Sequence, residues 1–215
     1  MGIIDNKTLG NASALLIGVL YIATTAWGYY SAIPNEEYVH LSEWCCVSGV
    51  VGGVLYIFSY FHRRLNGKGM HPVVFLDSTL ALDLILIGTI AMQLNLDGAY
   101  WFLHVINPVL VTVHFLLFCD CREIANRKLL LTSIVFPVCY IAFTAVVYAG
   151  IGVAPFPASM ILIQARVEVS MVLIAGLCGS IVLMAFLLNG MNKWVRNTFE
   201  KGGMCEVRPS SSIKE

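Results

Sequence analysis

The sequence predicts an all-α fold: a polytopic membrane protein whose six transmembrane helices form a bundle, with both termini cytoplasmic. Charged residues make up 12% of the 215 residues, about half of the roughly 25% usual in soluble domains. Hydrophobic residues make up 58%, and the mean hydropathy is +0.79. So few charges could not cover the apolar core of a soluble domain, so the composition predicts an integral membrane protein.

Six apolar runs are each long enough to cross the hydrocarbon core of a bilayer, which takes about 20 helical residues. They cover residues 12–32, 41–61, 72–93, 100–119, 129–150 and 167–189. Residues 1–190 are therefore predicted to form a single transmembrane domain, and residues 191–215 a cytoplasmic tail. The fifth connection, GIGVAPFPASMILIQAR, is apolar enough to lie in the membrane interface.

Lysine and arginine are distributed unevenly between the two faces of the predicted bundle. Twelve of the thirteen lie in the N-terminal segment, the second and fourth connections, or the tail. Arg166 is left for the other face, whose connections carry Glu36, Glu37 and Asp97. Because cytoplasmic loops are enriched in Lys and Arg, both termini are predicted to be cytoplasmic. The expected location is the cytoplasmic (plasma) membrane.

Small residues line one face of the second span, in the segment SGVVGG. Gly49 and Gly53 are four residues apart, as are Ser48 and Gly52, so each pair shares a helix face. Small residues at this spacing let a neighbouring helix backbone approach closely. The stripe predicts helix packing, and we make the same prediction for GLCGS at 176–180.

The seven cysteines do not indicate a metal site. Cys119 and Cys121 flank Asp120, and His114 is nearby, but a second ligand pair at zinc-site spacing is lacking. Thiols at a cytoplasmic helix end also stay reduced. The sequence therefore predicts no metal and no other cofactor.

Ionisable residues within the spans are candidates for a functional site, because an Asp at a helix centre costs about 2.5–3.5 kcal/mol on insertion scales. Asp83 lies near the midplane of the third span. Asp77 and His114 share a depth nearer the cytoplasm, where they could form a pair. The polar residues expected near the outer face are Glu43, His104, Asn107, Arg166 and Glu168.

The stretch FLHVINPVL at 102–110 holds three residues that an apolar helix should avoid. His104 and Asn107 are three apart, hence on one helix face. Pro108 has no N–H and removes the hydrogen bond to the His104 carbonyl. A helix opened in this way can point a carbonyl, an imidazole and an amide towards the same cavity. The stretch therefore predicts a polar pocket centred on His104. The alternative, a kinked packing helix with a satisfied histidine, stays open.

The layout of the chain resembles a known family. The fourth span carries His-x-x-x-Pro near its outer end, within HVINPVLVTVHFLLF, and a basic loop and VFPVCY follow. APFP precedes the last span. On these motifs the chain resembles the six-helix integral membrane family related to the androgen-induced-gene lipid-ester hydrolases. The arrangement of the spans is similar over most of the chain, whereas the motifs cover a smaller part of it.

The resemblance implies a chemistry. In the animal branch of the family, a Thr in an early span and a His in a later one act as nucleophile and base. They hydrolyse lipid esters in which one fatty acid is esterified to the hydroxyl of another. By position, His104 matches the family histidine. Cys45 stands where relatives have Thr, with Ser42 and Ser48 close by, and residues 41–61 contain no Thr.

The residues themselves support a nucleophile–base pair. Cys45 and His104 each lie about four residues from the outer edge of their spans, the equal depth that such a pair needs. A thiol beside an imidazole is a competent nucleophile. Glu43 or Asn107 could orient the imidazole. Arg166 and Glu168 are the remaining candidates for binding or orienting a substrate.

Three functions follow as alternatives. A lipid-ester hydrolase predicts one lipid-facing cavity that contains His104. A small proton-coupled transporter or channel predicts titratable groups continuous from one face to the other. A non-catalytic lipid-binding accessory protein predicts no such cavity and a partner for each charge. The expected partners are membrane lipids, with anionic headgroups at the basic face, and a lipid-ester substrate, but no nucleic acid.

Overall fold

The structure, a computed structural model, describes residues 7–32, 42–94, 96–159 and 166–203. These residues contain six helices long and apolar enough, by length and composition, to cross a membrane. The helices are α1 (Lys7–Ala32), α2 (Trp44–Asn66), α3 (Pro72–Met92), α4 (Ala99–Phe118), α5 (Asn126–Ile151) and α6 (Val167–Gly203). The predicted all-α class and the six spans are confirmed to this extent, and the architecture is compatible with a multi-pass membrane protein.

The helix bounds follow the predicted spans closely except at α1, which begins five residues earlier, at α2 and at α6. Helix α2 begins at Trp44, and residue 41, Glu36 and Glu37 lie outside the described residues. Helix α6 continues to Gly203, well beyond the predicted end at 189. The tail after residue 203 is likewise not described.

Helices α3 and α4 occupy the centre of the bundle. Helix α3 packs against α2, α4, α5 and α6, and α4 packs against α1, α3 and α6. Helix α3 is the most buried of the six, whereas α5 and α6 are the least buried. The core side chains therefore come mainly from the first four helices, with Tyr21, Tyr56 and Phe115 almost fully buried.

Two glycines bring α1 and α2 into close contact. A Cβ added at Gly53 would lie 3.0 Å from the Gly18 carbonyl oxygen, and one added at Gly18 would lie 2.8 Å from that of Gly53. The backbones meet where any side chain would keep them apart, as predicted for SGVVGG. The same prediction for 176–180 is wrong within the described chain, because a Cβ at Gly176 or Gly179 would meet nothing within 4 Å.

Two polar residues of α6 cap the end of α4. The Asn192 side-chain amide donates to the carbonyls of Phe115 and Cys119, both at 3.0 Å, and its oxygen accepts from the Cys121 N–H at 3.1 Å. The Arg196 Nε donates to the Cys119 carbonyl at 3.1 Å. The last carbonyls of a helix have no partner within it, and here α6 supplies the donors. This packing explains why α6 continues past its apolar stretch.

The chain ends that the structure describes lie at one end of the bundle. The Ser13 hydroxyl of α1 is 2.9 Å from His114 Nδ1 near the end of α4, and the late part of α6 caps that same end. We call this the basic end, because it collects the cations Arg63, Arg64, Lys68, Arg122, Arg127, Lys128, Lys193 and Arg196. The opposite end, where α2 and α4 begin, is the site end.

The thiols at the basic end are unreactive groups. Burial raises the pKa of Cys121 to about 12 and raises that of Cys119 further. Burial therefore favours the thiol over the thiolate, the form that binds metals and attacks electrophiles. Asp120 differs, because its hydrogen bond with Arg122 lowers the pKa of the carboxyl.

We predict that Asn192→Leu destabilises the protein by about 1–3 kcal/mol, because buried carbonyls at the end of α4 lose their donor. The matched control is Asn189→Leu on the same helix, where the buried side-chain oxygen has no hydrogen-bond partner within the described chain. The control should be neutral or stabilising. Thermal unfolding in detergent measures both, and equal melting temperatures for the two variants would contradict the capping role.

Candidate functional site

A cavity of about 480 Å³ lies at the site end of the bundle. Most of its wall is apolar, and the polar side chains are few. The lining residues are Glu43, Trp44, Cys45, Leu84, Ile85, Gly88, Thr89, Met92, Leu94, His104, Phe156, Pro157 and Leu177. The cavity thus lies between the start of α2, the second half of α3, the start of α4 and the connection from α5 to α6. Such a composition is typical of sites for apolar ligands.

Trp44 holds the first turn of α2 in the wall of this cavity. Its backbone N–H donates to the Phe156 carbonyl at 3.2 Å, and its indole Nε1 donates to the Ala81 carbonyl at 2.8 Å. The indole ring packs edge-on against Phe136 and Tyr140, with centroids 4.8 Å apart in both cases. The tie fixes the position of the next residue, Cys45.

A hydroxyl from α5 strengthens the same contact. The Tyr140 hydroxyl donates to the Phe156 carbonyl at 2.7 Å and lies 3.2 Å from the Ser42 carbonyl. Tyr140 is buried, so an unpaired hydroxyl there would be costly. The described part of the connection from α5 to α6, at Phe156, is thereby folded back onto the start of α2.

Helix α4 contains a wider turn at the histidine. Residues Phe102–Ile106 form a π-helix, and the Asn107 N–H donates to the Phe102 carbonyl, five residues back. Turns of this kind are rare in proteins overall, but they occur frequently at functional sites. Pro108 follows directly and contributes no N–H of its own. The distortion that Pro108 predicted is therefore present, in the form of a π-turn.

The His104 imidazole is oriented by a backbone group. Its Nδ1 lies 3.1 Å from the Tyr100 carbonyl oxygen. A carbonyl can only accept a hydrogen bond, so Nδ1 carries the proton and Nε2 keeps a lone pair. The Tyr100 ring also packs near the imidazole, with centroids 5.4 Å apart. The ring nitrogen that is able to act as a base is therefore Nε2.

Cys45 and His104 meet in the cavity. Both residues line the cavity wall, and their side chains are close enough to interact electrostatically. The Glu43 carboxylate is also close, with Oε2 at 4.0 Å from the Cys45 Sγ. The site therefore combines a thiol, an imidazole and a carboxylate within an apolar cavity.

Asn107 points elsewhere, although its spacing from His104 predicted a shared face. Its side-chain nitrogen donates to the Thr24 hydroxyl at 2.8 Å, and its backbone carbonyl accepts from the Tyr21 hydroxyl at 2.9 Å. Asn107 is only 1% exposed, and it is buried against α1. The π-turn changes the angle between the two side chains, so Asn107 does not orient the imidazole.

The two serine candidates are buried outside the cavity wall. The Ser48 hydroxyl donates to the Trp44 carbonyl at 2.5 Å, which occupies its single proton within the helix. Ser42 is 4% exposed and does not line the cavity. Arg166 and Glu168 are exposed near the start of α6 and are also absent from the lining.

The intramembrane polar residues lie in separate places. Asp83 accepts from the Thr112 hydroxyl at 2.7 Å, and His114 is next to Ser13 at the basic end. The Asp77 Oδ1 is buried with no hydrogen-bond partner within the described chain. The structure does not bring Asp77 and His114 together as a hydrogen-bonded pair, and neither lines the cavity.

Several residues that shape the site could not be identified as site residues from the sequence, because their residue types are ordinary for a membrane span. Trp44 and Tyr140 look like ordinary aromatic residues of a span, and the Tyr100 carbonyl is a backbone group. One signal was available on α3, where Leu84, Gly88 and Met92 recur every four residues and so share a face.

No family model, no curated protein and no solved structure matches this chain. The resemblance to the androgen-induced-gene family therefore stays a prediction, and the function must be argued from the site itself.

We predict that Trp44→Phe lowers the free energy of unfolding by about 1 kcal/mol, because the ring is kept and one buried hydrogen bond is lost. Trp194→Phe is the control, since Trp194 is 69% exposed. Denaturation in mild detergent compares the two variants with wild type. A Trp44→Phe protein as stable as the control would show that the bond to Ala81 does not hold α2.

Proposed function

We propose that this protein is a membrane-embedded hydrolase of lipid esters, with Cys45 as nucleophile and His104 as general base. The observation that carries the proposal is that these two side chains line the same largely apolar cavity, where they are close enough to interact. The resemblance to lipid-ester hydrolases supports the same chemistry. The nucleophile of those hydrolases is a Thr, and in this chain the Cys45 thiol would take its place.

The first half of the reaction forms an acyl-enzyme. The Cys45 Sγ attacks the ester carbonyl carbon while His104 Nε2 takes the thiol proton. The carbon–oxygen bond to the alcohol breaks, and the imidazolium returns the proton to the leaving oxygen. The fatty acid is then held on Cys45 as a thioester, and the alcohol is free to leave.

The second half restores the enzyme. Water attacks the thioester carbonyl, and His104 Nε2 accepts its proton. The carbon–sulfur bond breaks, the fatty acid is released, and the proton passes to the Cys45 sulfur. The sum is one ester plus one water giving one acid plus one alcohol. The Tyr100 carbonyl keeps Nδ1 protonated throughout, which is the role that an Asp or Asn fills in other triads.

The start of α2 favours the anionic steps, whereas burial and the nearby Glu43 carboxylate oppose them. Cys45 is the second residue of α2, so the positive end of a 23-residue helix lies beside its sulfur. A helix N-terminus stabilises thiolates and oxyanions. Glu43 precedes this helix as its N-cap residue without capping it by a side-chain hydrogen bond, and its carboxylate faces the thiol instead.

The alternatives fit the described residues less well. A transporter or channel requires titratable groups in series, but Asp83 is paired with Thr112 and His114 with Ser13, both away from the cavity. An accessory protein requires no cavity, yet one of about 480 Å³ contains His104.

We also propose that the basic end faces the cytoplasm and the site end faces the other side of the membrane. The cations collected at the basic end support this orientation through the positive-inside rule. The same cations would contact anionic lipid headgroups.

The enzyme proposal is tested by ester hydrolysis with purified protein in detergent, using fatty-acid esters of hydroxy fatty acids and simpler fatty-acyl esters. We expect His104→Ala and Cys45→Ala each to lower kcat/KM on the order of 10²–10⁴-fold, the usual contribution of a general base or nucleophile. In wild type, mass spectrometry should find the acyl group on Cys45 during turnover.

The controls are Cys139→Ser and His62→Gln. Cys139 is exposed on α5, and His62 lies near the basic end, where its Nδ1 is 2.9 Å from the Lys68 carbonyl. Both should keep wild-type activity. A folded wild type that hydrolyses none of the esters would refute the hydrolase. Activity retained by Cys45→Ala would refute this nucleophile.

The orientation is tested with single cysteines introduced into a cysteine-free variant. In intact cells, a membrane-impermeant maleimide should label Asp97→Cys at the site end. Lys68→Cys at the basic end should label only after permeabilisation. The reverse pattern would invert the proposed topology.

A further inference from the structure

The wall of the cavity formed by α3 has one open position. Leu84, Gly88 and Met92 lie on one face of α3 and all line the cavity. A Cβ added at Gly88 would meet nothing within 4 Å. Gly88 is therefore not required for helix packing within the described chain, unlike Gly18 and Gly53. Its missing side chain leaves space in the middle of the cavity wall.

Among the described residues, the side chains at one end of this face are buried and those at the other end are exposed. Trp44 is buried at 6% exposure and packs with Leu84, whereas Met92 and Leu94 are about half exposed. The eight residue-to-residue steps from Leu84 to Met92 correspond to roughly 12 Å of helix. With carbon–carbon bonds of about 1.5 Å, an extended chain of roughly nine or ten carbons covers that distance.

The size of the cavity favours one chain. A volume of about 480 Å³ lies in the lower half of the 300–1,000 Å³ range of small-molecule sites, which leaves little room for a second chain in the same cavity. The polar groups Glu43, Cys45 and His104 mark the place of the ester group. The remaining wall is apolar, and its Thr89 hydroxyl donates to the Ile85 carbonyl of its own helix.

We infer that the α3 face from Leu84 to Met92 is the binding site for a single unbranched acyl chain and that Gly88 sets the length of chain that fits. The inference rests on the proposed function for the identity of the ester. It adds the part of the ester that the cavity holds, a single fatty-acyl chain, and a specificity-determining residue. A side chain at position 88 would fill the middle of the site and leave the thiol and the imidazole in place.

The experiment measures alkylation of Cys45 by N-alkylmaleimides from methyl to dodecyl, which does not require catalysis. Exposed Cys139 in the same protein corrects for partition of each reagent into the detergent micelle. The readout is the ratio of modification rates at Cys45 and Cys139, determined by peptide mass spectrometry for wild type, Gly88→Ala, Gly88→Leu and Gly150→Leu. Gly150→Leu is the control, because Gly150 is also in a span with nothing within 4 Å of an added Cβ.

In wild type the ratio should rise with chain length up to about ten carbons, by at most about fourfold per methylene buried. Gly88→Leu should move the optimum to shorter chains and lower the ratio for dodecyl at least tenfold, with Gly88→Ala intermediate. The methyl reagent should react equally with all variants, and Gly150→Leu should match wild type. An unchanged length profile in both Gly88 variants would overturn the inference. So would an equal loss for every reagent, methyl included, since it would place the effect on Cys45 itself.

Ester hydrolysis by the same variants separates this inference from the proposed function. A shifted alkylation profile in a protein that hydrolyses no ester would leave the acyl-chain site standing and refute the hydrolase. Hydrolysis with the same chain-length preference in wild type and Gly88→Leu would keep the hydrolase and refute the role of Gly88.

Discussion

The first turn of α2 is held in place by Trp44, and the geometry of the site depends on this residue. Its backbone N–H and its indole N–H are bonded to two different parts of the bundle, and its ring is packed between Phe136 and Tyr140. A bilayer offers no water to a helix end, so donors there need protein partners. Satisfying them also fixes how α2 is rotated, and this rotation turns Cys45 into the cavity.

Helix α4 supplies the other half of the site, and its two ends are treated in opposite ways. At the site end the π-turn widens the helix around His104. At the basic end, Asn192 and Arg196 hold the last carbonyls of the helix together. Because the basic end of α4 is held by these hydrogen bonds, the position of the distorted site end is fixed as well. The imidazole can therefore keep one orientation although the helix around it is irregular.

The six helices could be predicted from the sequence because the length and hydropathy of an apolar run identify a helix that is able to span a membrane. Depth counted along the spans also suggested the meeting of Cys45 and His104. The prediction that Asn107 and His104 share a helix face was wrong, because a π-turn changes the angle between side chains three residues apart. The length of α6 was missed for another reason. Asn192 and Arg196 look like the start of a polar tail, and their burial depends on carbonyls of another helix that no local pattern reveals.

The π-turn at His104 has a consequence for how the site could have arisen. One residue corresponds to about 100° of rotation in an α-helix, so a single extra residue within Phe102–Ile106 is enough to rotate the side chains that precede it about the helix axis, relative to the side chains that follow it. A gene that lost one codon here would keep six spans and the same composition. Its histidine would nevertheless face a different neighbour. Among homologues, the presence of the site would therefore be recorded in the length of this segment as much as in the residues it contains.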